Sequence, residues 1–146
     1  MLEVSVMKKE DNNLEPFTYE TFSAKSNVLS FETAGKIYSE LVGLVEIGGP
    51  ELQEYWSDFL HAAVTYAARR ASWLLLSREQ KVATDDQRTA EHDAVLYSIA
   101  VIRGTIAQQG LPLDWYHRLI FDNVQERKRV GDFACYVAYI YGVNAR

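Results

Sequence analysis

Hydrophobic residues follow a helical spacing along most of the chain after residue 30. Apolar side chains recur every three or four positions in successive segments, which is the period of an α-helix with one buried face. Ser30 and Pro50 are residue types that commonly begin helices, and glycines typical of helix ends stand at positions 48, 49, 110 and 142. The pattern therefore predicts a single all-α domain over residues 30–146, built as a bundle of about five helices.

The second and third predicted helices follow one another without a strong break. No glycine or proline interrupts the chain from Glu51 to Arg103, and the polar stretch 81–86 is the best separator. Asp85 is suited to cap the third helix, which leaves the second helix running to about Gln80. At 1.5 Å per residue such a helix is about 45 Å long, so it would span or outrun a domain whose radius of gyration is about 15 Å.

The last predicted helix, from about Val124 to Tyr141, is apolar around nearly its whole circumference from Phe133 onward. A helix of this kind is either central to a bundle or shared with a partner chain. Its candidate interface residues are Phe133, Tyr136, Tyr139 and Tyr141.

Four glycines lie inside predicted helices, at positions 35, 43, 104 and 131. Glycine within a helix costs ~0.5–1 kcal/mol relative to alanine, so these positions need a reason. Close approach of neighbouring helices is the reason that we expect.

Residues 1–29 are predicted to form an irregular tail or an extended strap on the domain. Pro16 disfavours helix at the residue before it, and Phe17 and Tyr19 alternate with Thr18 as in an extended segment. The sequence from Met7 resembles a common bacterial protein start, so we hypothesise that residues 1–6 are not native. The apolar residues of this region are too few for a signal-peptide core, and we expect a cytoplasmic protein.

Composition narrows the possible functions mainly by exclusion. The 146 residues include 15 Lys+Arg and 20 Asp+Glu, and the resulting net charge of −5 argues against a protein that coats nucleic acid. The single cysteine excludes an intrachain disulfide and a cysteine-based zinc cage, and it fits a reducing compartment. The longest apolar run, residues 73–76, is far too short to span a bilayer.

Two carboxylate-x-x-His pairs, Asp58…His61 and Asp114…His117, have the helical spacing used by di-metal sites. Asp58 and His61 share a polar helix face, and Asp114 is suited to a helix N-cap. We therefore expect neither a metal site nor another cofactor.

Charged residues on apolar helix faces form the other candidate site. His92 and Arg88 lie on the third helix, and Arg70 lies in line with the apolar stripe of the second. A buried guanidinium needs a carboxylate, which Asp132 or Glu126 on the last helix could supply. Two interpretations stay open: a polar layer that fixes helix register, or a pocket for an anionic ligand or an acid–base site. The candidate ligand-binding residues are Arg70, Arg88, His92, Arg103 and Asp132.

No nucleophile motif, phosphate-binding loop, dinucleotide fingerprint or DNA-reading helix pair is present, and we name no catalytic residue. We expect a homodimer or another protein complex formed through a helix face, with the second and last helices as candidate surfaces and no nucleic-acid or membrane partner. The alternative is a small protein or enzyme that binds an anionic ligand around Arg88 and His92.

Overall fold

Five helices make up the part of the chain that the computed structural model describes, residues 28–73, 75–121 and 125–144, and no strand occurs there. The predicted all-α bundle of about five helices is confirmed. The proposed start at Met7 and most of the predicted strap lie outside the described residues. In chain order the helices are α1 (Phe31–Ile47), α2 (Pro50–Trp73), α3 (Arg78–Gln108), α4 (Asp114–Ile120) and α5 (Glu126–Asn144).

The central helix of the bundle is α5, which contacts all four other helices. Every residue from Val130 to Ala138 is buried. The ring of Phe133 stacks on Phe59 of α2, with 6.0 Å between centroids, and Tyr136 meets Tyr38 of α1 edge to face. As far as Ala138 the apolar circumference of the last helix is therefore covered within the chain, and Phe133 and Tyr136 belong to the core rather than to a surface.

The predicted boundary between the first two helices is confirmed. The hydroxyl of Ser30 accepts a hydrogen bond from the Thr33 backbone N–H at 3.0 Å, which caps α1. Gly48 closes α1, and Gly49 has a φ of +92°, a left-handed conformation that favours glycine. Pro50 then begins α2, where its missing N–H costs nothing.

The turn between α2 and α3 lies earlier in the chain than predicted. Helix α2 ends at Trp73, and α3 begins at Arg78 behind a capping box. The Ser77 hydroxyl accepts from the Gln80 N–H at 3.1 Å, while the Gln80 side chain accepts from the Ser77 N–H at 2.8 Å. Asp85 lies inside α3 and caps nothing. The predicted end of the second helix near Gln80 is therefore wrong.

The longest helix is α3 rather than α2. Its 31 residues extend for about 46 Å. Its four buried side chains all lie in its second half, at Val95, Ile99, Ile102 and Ile106. The residues of its first half that turn toward α2 are polar and only half-buried, so this half of the α2–α3 hairpin lies outside the apolar core. Among the described residues, neither α3 nor any other helix is both long and apolar enough to cross a membrane.

Two of the four helix glycines mark the close approaches that we expected. A Cβ atom at Gly131 would lie 2.7 Å from the Tyr66 hydroxyl oxygen, and one at Gly35 would lie 3.2 Å from the Tyr136 hydroxyl oxygen. At Gly43 and Gly104 no atom of another helix lies within 4 Å of the corresponding position, so the expectation is wrong for those two.

Candidate functional site

Arg70 and Asp132 meet between α2 and α5. Nη2 of Arg70 donates to Oδ1 of Asp132 at 2.6 Å, and the carboxylate is fully buried. Of the two carboxylates considered as partners, Asp132 is therefore the one that pairs with Arg70. Glu126 instead accepts a hydrogen bond from the Tyr116 hydroxyl at 3.3 Å.

The second oxygen of Asp132 holds the backbone that leads into α1. Oδ2 accepts hydrogen bonds from the N–H of Val28 at 2.6 Å and from that of Leu29 at 3.0 Å. One turn earlier on α5, Nη1 of Arg129 donates to the Val28 carbonyl at 3.2 Å, and its other nitrogens donate to carbonyls at the end of α4. Asp132 and Arg129 therefore join two separate segments of backbone, residues 28–29 and the end of α4, to the central helix.

His92 connects α3 to both of its neighbours. Its ring stacks on that of Tyr66 of α2, with 4.9 Å between centroids. Its Nε2 lies 2.8 Å from the Arg127 carbonyl oxygen at the start of α5, so Nε2 carries the proton and donates. Burial lowers the pKa of His92, and the nearby positive charges of Arg127, Arg88 and Arg70 lower it further, against the hydrogen bond to Arg127. The imidazole is therefore neutral at pH 7.

Arg88 lies beyond His92 toward the tip of the hairpin. Its guanidinium carbon stands 4.8 Å from the centroid of the Trp73 ring, a cation–π contact. Its Nη2 also lies 3.3 Å from Oδ1 of Asp85 on the surface of α3. Arg88 thus affects the pKa of His92 through its charge, while the contacts of the Arg88 side chain are with Trp73 and Asp85.

Arg103 is not part of this cluster. It follows Arg88 by fifteen residues on the same helix, which places it about 22 Å away along α3. Its guanidinium covers the Tyr116 ring of α4 at 5.2 Å from the centroid. The sequence places Arg88 and Arg103 on the same helix, and a shared helix does not imply a shared site.

Cys135 and Tyr66 complete the cluster around Arg70. Nη1 of Arg70 lies 3.6 Å from the Cys135 sulfur. Burial raises the pKa of the Cys135 thiol to about 12, so the group is a neutral thiol and a poor nucleophile at neutral pH. Burial also raises the pKa of Tyr66.

We call Tyr66, Arg70, His92, Asp132 and Cys135 the polar layer. Its groups bind one another and the backbone, which satisfies the buried charge of Asp132. This arrangement favours the first interpretation, a layer that fixes the register of α2, α3 and α5. The contacts of Val28 and Leu29 with Asp132 had no signal in the sequence, because backbone N–H groups are present at almost every position.

The two carboxylate-x-x-His pairs form no metal centre. Over the described ranges, no three His, Cys, Asp or Glu side chains converge on a point where a metal ion could bind. Asp114 is the first residue of α4 rather than its cap, and Leu113 occupies the cap position without a side-chain hydrogen bond. The predicted N-cap at Asp114 is therefore wrong by one residue.

Asp58 and His61 instead line a shallow surface groove between α2 and α3. We call this feature the α2–α3 groove, and its volume is about 320 Å³. Glu91 at its edge pairs with Arg69 at 2.8 Å. Its lining residues are Asp58, His61, Ala62, Thr65, Glu91 and Ala94.

The remaining aromatic interface candidates lie at the end of α5. Tyr139 is half-buried, and Tyr141 is 51% exposed. A more exposed aromatic residue is Tyr97 of α3, at 72%, which the sequence analysis did not single out.

Comparison with known proteins adds nothing to the description of these two sites. The polar layer and the α2–α3 groove are accordingly described from this chain alone. No family model, no curated protein and no solved structure matches the chain.

Proposed function

We propose that the protein is a small interaction module that self-associates through the exposed face of α2 and α3. The observation that carries the proposal is the α2–α3 groove, whose lining includes the small side chains of Ala62, Thr65 and Ala94. Small side chains let the backbone of an additional helix approach closely, because interaxial distance depends on the residues at the contact.

An exposed apolar stripe on α3 extends this surface along the hairpin. Ala83, Ala90, Ala94 and Tyr97 follow one another at spacings of seven, four and three, so they lie on one face of the helix, and all are exposed. Tyr97 is the large member of the stripe, and tyrosine is enriched in the cores of protein interfaces. Apolar residues aligned on one helix face support a docked partner better than scattered apolar residues do.

The charges along α2 favour a second copy of the chain as the partner. Residues 50–61 include Glu51, Glu54 and Asp58 and no Lys or Arg, whereas residues 62–73 include Arg69 and Arg70 and no Asp or Glu. Two copies of α2 packed antiparallel about a two-fold axis near Ala62 would place the carboxylates of one copy beside the half of the other copy that has no acidic residue, although Arg69 and Arg70 there are paired within their own chain. A parallel arrangement would bring like charges together instead. The first arrangement is the isologous contact of a C2 dimer, the commonest form of homo-oligomer.

The buried free thiol of Cys135 fits a reducing compartment. We therefore include the cytoplasm in the proposal as the place where the protein acts, and the start-like sequence at Met7 is the reason to propose a bacterial cell.

The test is to fill the groove with a charged side chain. Ala94→Arg should prevent self-association in sedimentation equilibrium while leaving the far-ultraviolet circular dichroism and the unfolding midpoint unchanged, because Ala94 is exposed. Ala100→Arg is the matched control, since Ala100 is also exposed but lies about 240° around α3 from Ala94. The control should assemble as the wild type does. A wild type that is monomeric at every concentration would overturn the proposal, and so would an Ala94→Arg variant that assembles normally.

The alternative predicted from the sequence, an anionic-ligand site, has less support. Arg70 is already bound to Asp132, and Arg88 and Arg103 lie against separate aromatic rings. A ligand would have to displace contacts that the fold itself uses.

A further inference from the structure

Helices α2 and α3 with the turn between them form the α2–α3 hairpin, and we call the first half of α3 (residues 78–92) with the facing end of α2 the outer hairpin. We propose that His92 is a pH-dependent latch, which holds the α2–α3 hairpin against the start of α5 and releases the outer hairpin when the imidazole is protonated. This inference goes beyond the proposed self-association and does not rest on it.

The position of His92 in the fold is what makes it a latch. The buried side chains of α3 begin at Val95, and the seventeen residues from Arg78 to Ala94 include no buried one. His92 is therefore close to the last point at which α3 is attached to the body. Its ring stacks on Tyr66, and its Nε2–H donates to the Arg127 carbonyl, so a single side chain joins α2, α3 and α5.

The fit around the ring leaves little freedom for it to move while these contacts persist. Gly131 of α5 faces the imidazole, and a Cβ atom there would lie 3.2 Å from Nε2 of His92 and 2.7 Å from the Tyr66 hydroxyl oxygen. The ring is half-buried, with Tyr66 stacked on it and Gly131 against Nε2, so an imidazolium that rotated into water would lose its contacts with both neighbouring helices. Protonation therefore acts on the helix contacts and not on the rotamer alone.

Charged groups from all three helices surround the ring, and the positive ones are those that change its pKa. Arg70 of α2, Arg88 of α3 and Arg127 of α5 each disfavour an imidazolium, and burial disfavours it most. The neighbouring carboxylates already have cationic partners, so they have less attraction left for another positive charge. These pairs are Asp132 with Arg70, Asp93 with Arg127, Glu91 with Arg69 and Asp85 with Arg88.

Protonation leaves the Nε2–H in place, so the hydrogen bond to Arg127 is not what fails. The free-energy cost of protonation arises because the imidazolium would be half-buried among three guanidinium groups. It would also lie at the N-terminal end of α5, which is the positive end of the helix. The first half of α3 has no buried side chain to resist separation, whereas the region from Val95 to Ile106 does. Acidification should therefore open the outer hairpin locally before the bundle unfolds.

Hydrogen exchange of the full-length protein tests the latch. Amides of residues 84–92 and of the second turn of α5 should lose protection on acidification, after correction for intrinsic exchange rates. The loss should be on the order of tenfold between neutral pH and about pH 5.5, because an opened histidine titrates near 6.5 and one pH unit corresponds to a factor of ten. Amides of residues 99–106 should keep their protection.

His92→Gln is the decisive variant, because glutamine retains an N–H donor near the Nε2 position and does not titrate. Its protection in the outer hairpin should be the same at both pH values. His61→Gln, an exposed histidine of α2, is the matched control and should keep the full pH response. The proposal is overturned if the wild type shows no local response or if His92→Gln retains it. Should His92→Gln fail to fold, direct titration of the wild-type ring by NMR decides, since a pKa at or above the ordinary value would refute the latch.

Discussion

The carboxylate of Asp132 bonds to Arg70 through one oxygen and to the backbone N–H groups of Val28 and Leu29 through the other. A single buried charge thus ties α2, α5 and the entry into α1 together. Its three hydrogen bonds offset the cost of removing a carboxylate from water. This relationship explains why an ionised residue is found in the middle of the most deeply buried helix.

Asp132→Asn should strongly destabilise the fold. The substitution keeps the size of the side chain but leaves the Arg70 guanidinium, whose side chain is only 24% exposed, without its counter-charge. Breaking a buried ion pair from one side costs about 3–5 kcal/mol, and the partial exposure of Arg70 places the expected loss near or below the lower end. Urea denaturation measures this loss. Asp93→Asn is the control, because the Asp93–Arg127 pair is exposed and should contribute little.

Several features of this fold could be predicted from sequence because their signals are local. The Ser30 cap, the Gly48 stop and the period of the apolar stripes each lie within a few neighbouring residues. The pairing of Arg70 with Asp132 could also be anticipated, since a guanidinium on an apolar stripe needs a carboxylate. The binding of Val28 by the same carboxylate could not, because a backbone donor has no sequence signature.

The misplaced boundary between α2 and α3 has a different cause. The apolar run at residues 73–76 continues the pattern of a helix, while Ser77 and Gln80 carry a capping-box signal that competes with it. The polar stretch 81–86 and a cap at Asp85 predict a later break, and the capping box at Ser77 decides the observed boundary. The separation of Arg88 from Arg103 could not be predicted for a related reason: helical spacing indicates which residues share a face, whereas the neighbours at each point along the helix come from other parts of the chain.

Ser77→Ala should loosen the beginning of α3. Loss of an N-cap costs about 1 kcal/mol, and the first half of α3 has no buried side chain to compensate. The effect should therefore appear as faster amide exchange in the first two turns of α3, with a smaller change in the global free energy of unfolding. Ser57→Ala on the exposed surface of α2 is the control and should alter neither measurement. Unchanged exchange in Ser77→Ala would contradict the capping role.

Substitution of two helix glycines by alanine should have opposite effects. Gly131→Ala places a Cβ atom 2.7 Å from the Tyr66 hydroxyl oxygen, so Tyr66 and His92 must shift, at a cost of about 1–3 kcal/mol. Gly104→Ala meets no atom within 4 Å and should gain about 0.5–1 kcal/mol from helix propensity. Thermal unfolding of the two variants, measured beside the wild type, shows whether each substitution lowers or raises stability. Stabilisation by Gly131→Ala would show that α2, α3 and α5 are less closely packed than described.

The thiol of Cys135 should react only when the protein opens. Burial and a pKa raised to about 12 keep it protonated, so the rate of alkylation of the native protein should stay low from pH 7 to about pH 9. An exposed cysteine would instead react faster over the same range as its thiolate population grows. The urea-unfolded protein provides that reference within the same chain. Rapid labelling of the native protein would show that the polar layer is accessible to solvent.

The anionic-ligand alternative can be separated from the polar layer because the structure places Arg88 and Arg103 far apart. Inorganic phosphate should raise the melting temperature of the wild type and of Arg88→Ala by the same small amount, since exclusion of phosphate from the surface stabilises any fold. A specific site would add a binding contribution that grows with phosphate concentration. If that contribution is present in the wild type and in Arg103→Ala but absent in Arg88→Ala and His92→Ala, these residues bind an anion. If all four proteins respond equally, and the Arg88 and His92 variants merely melt earlier, the cluster serves the fold.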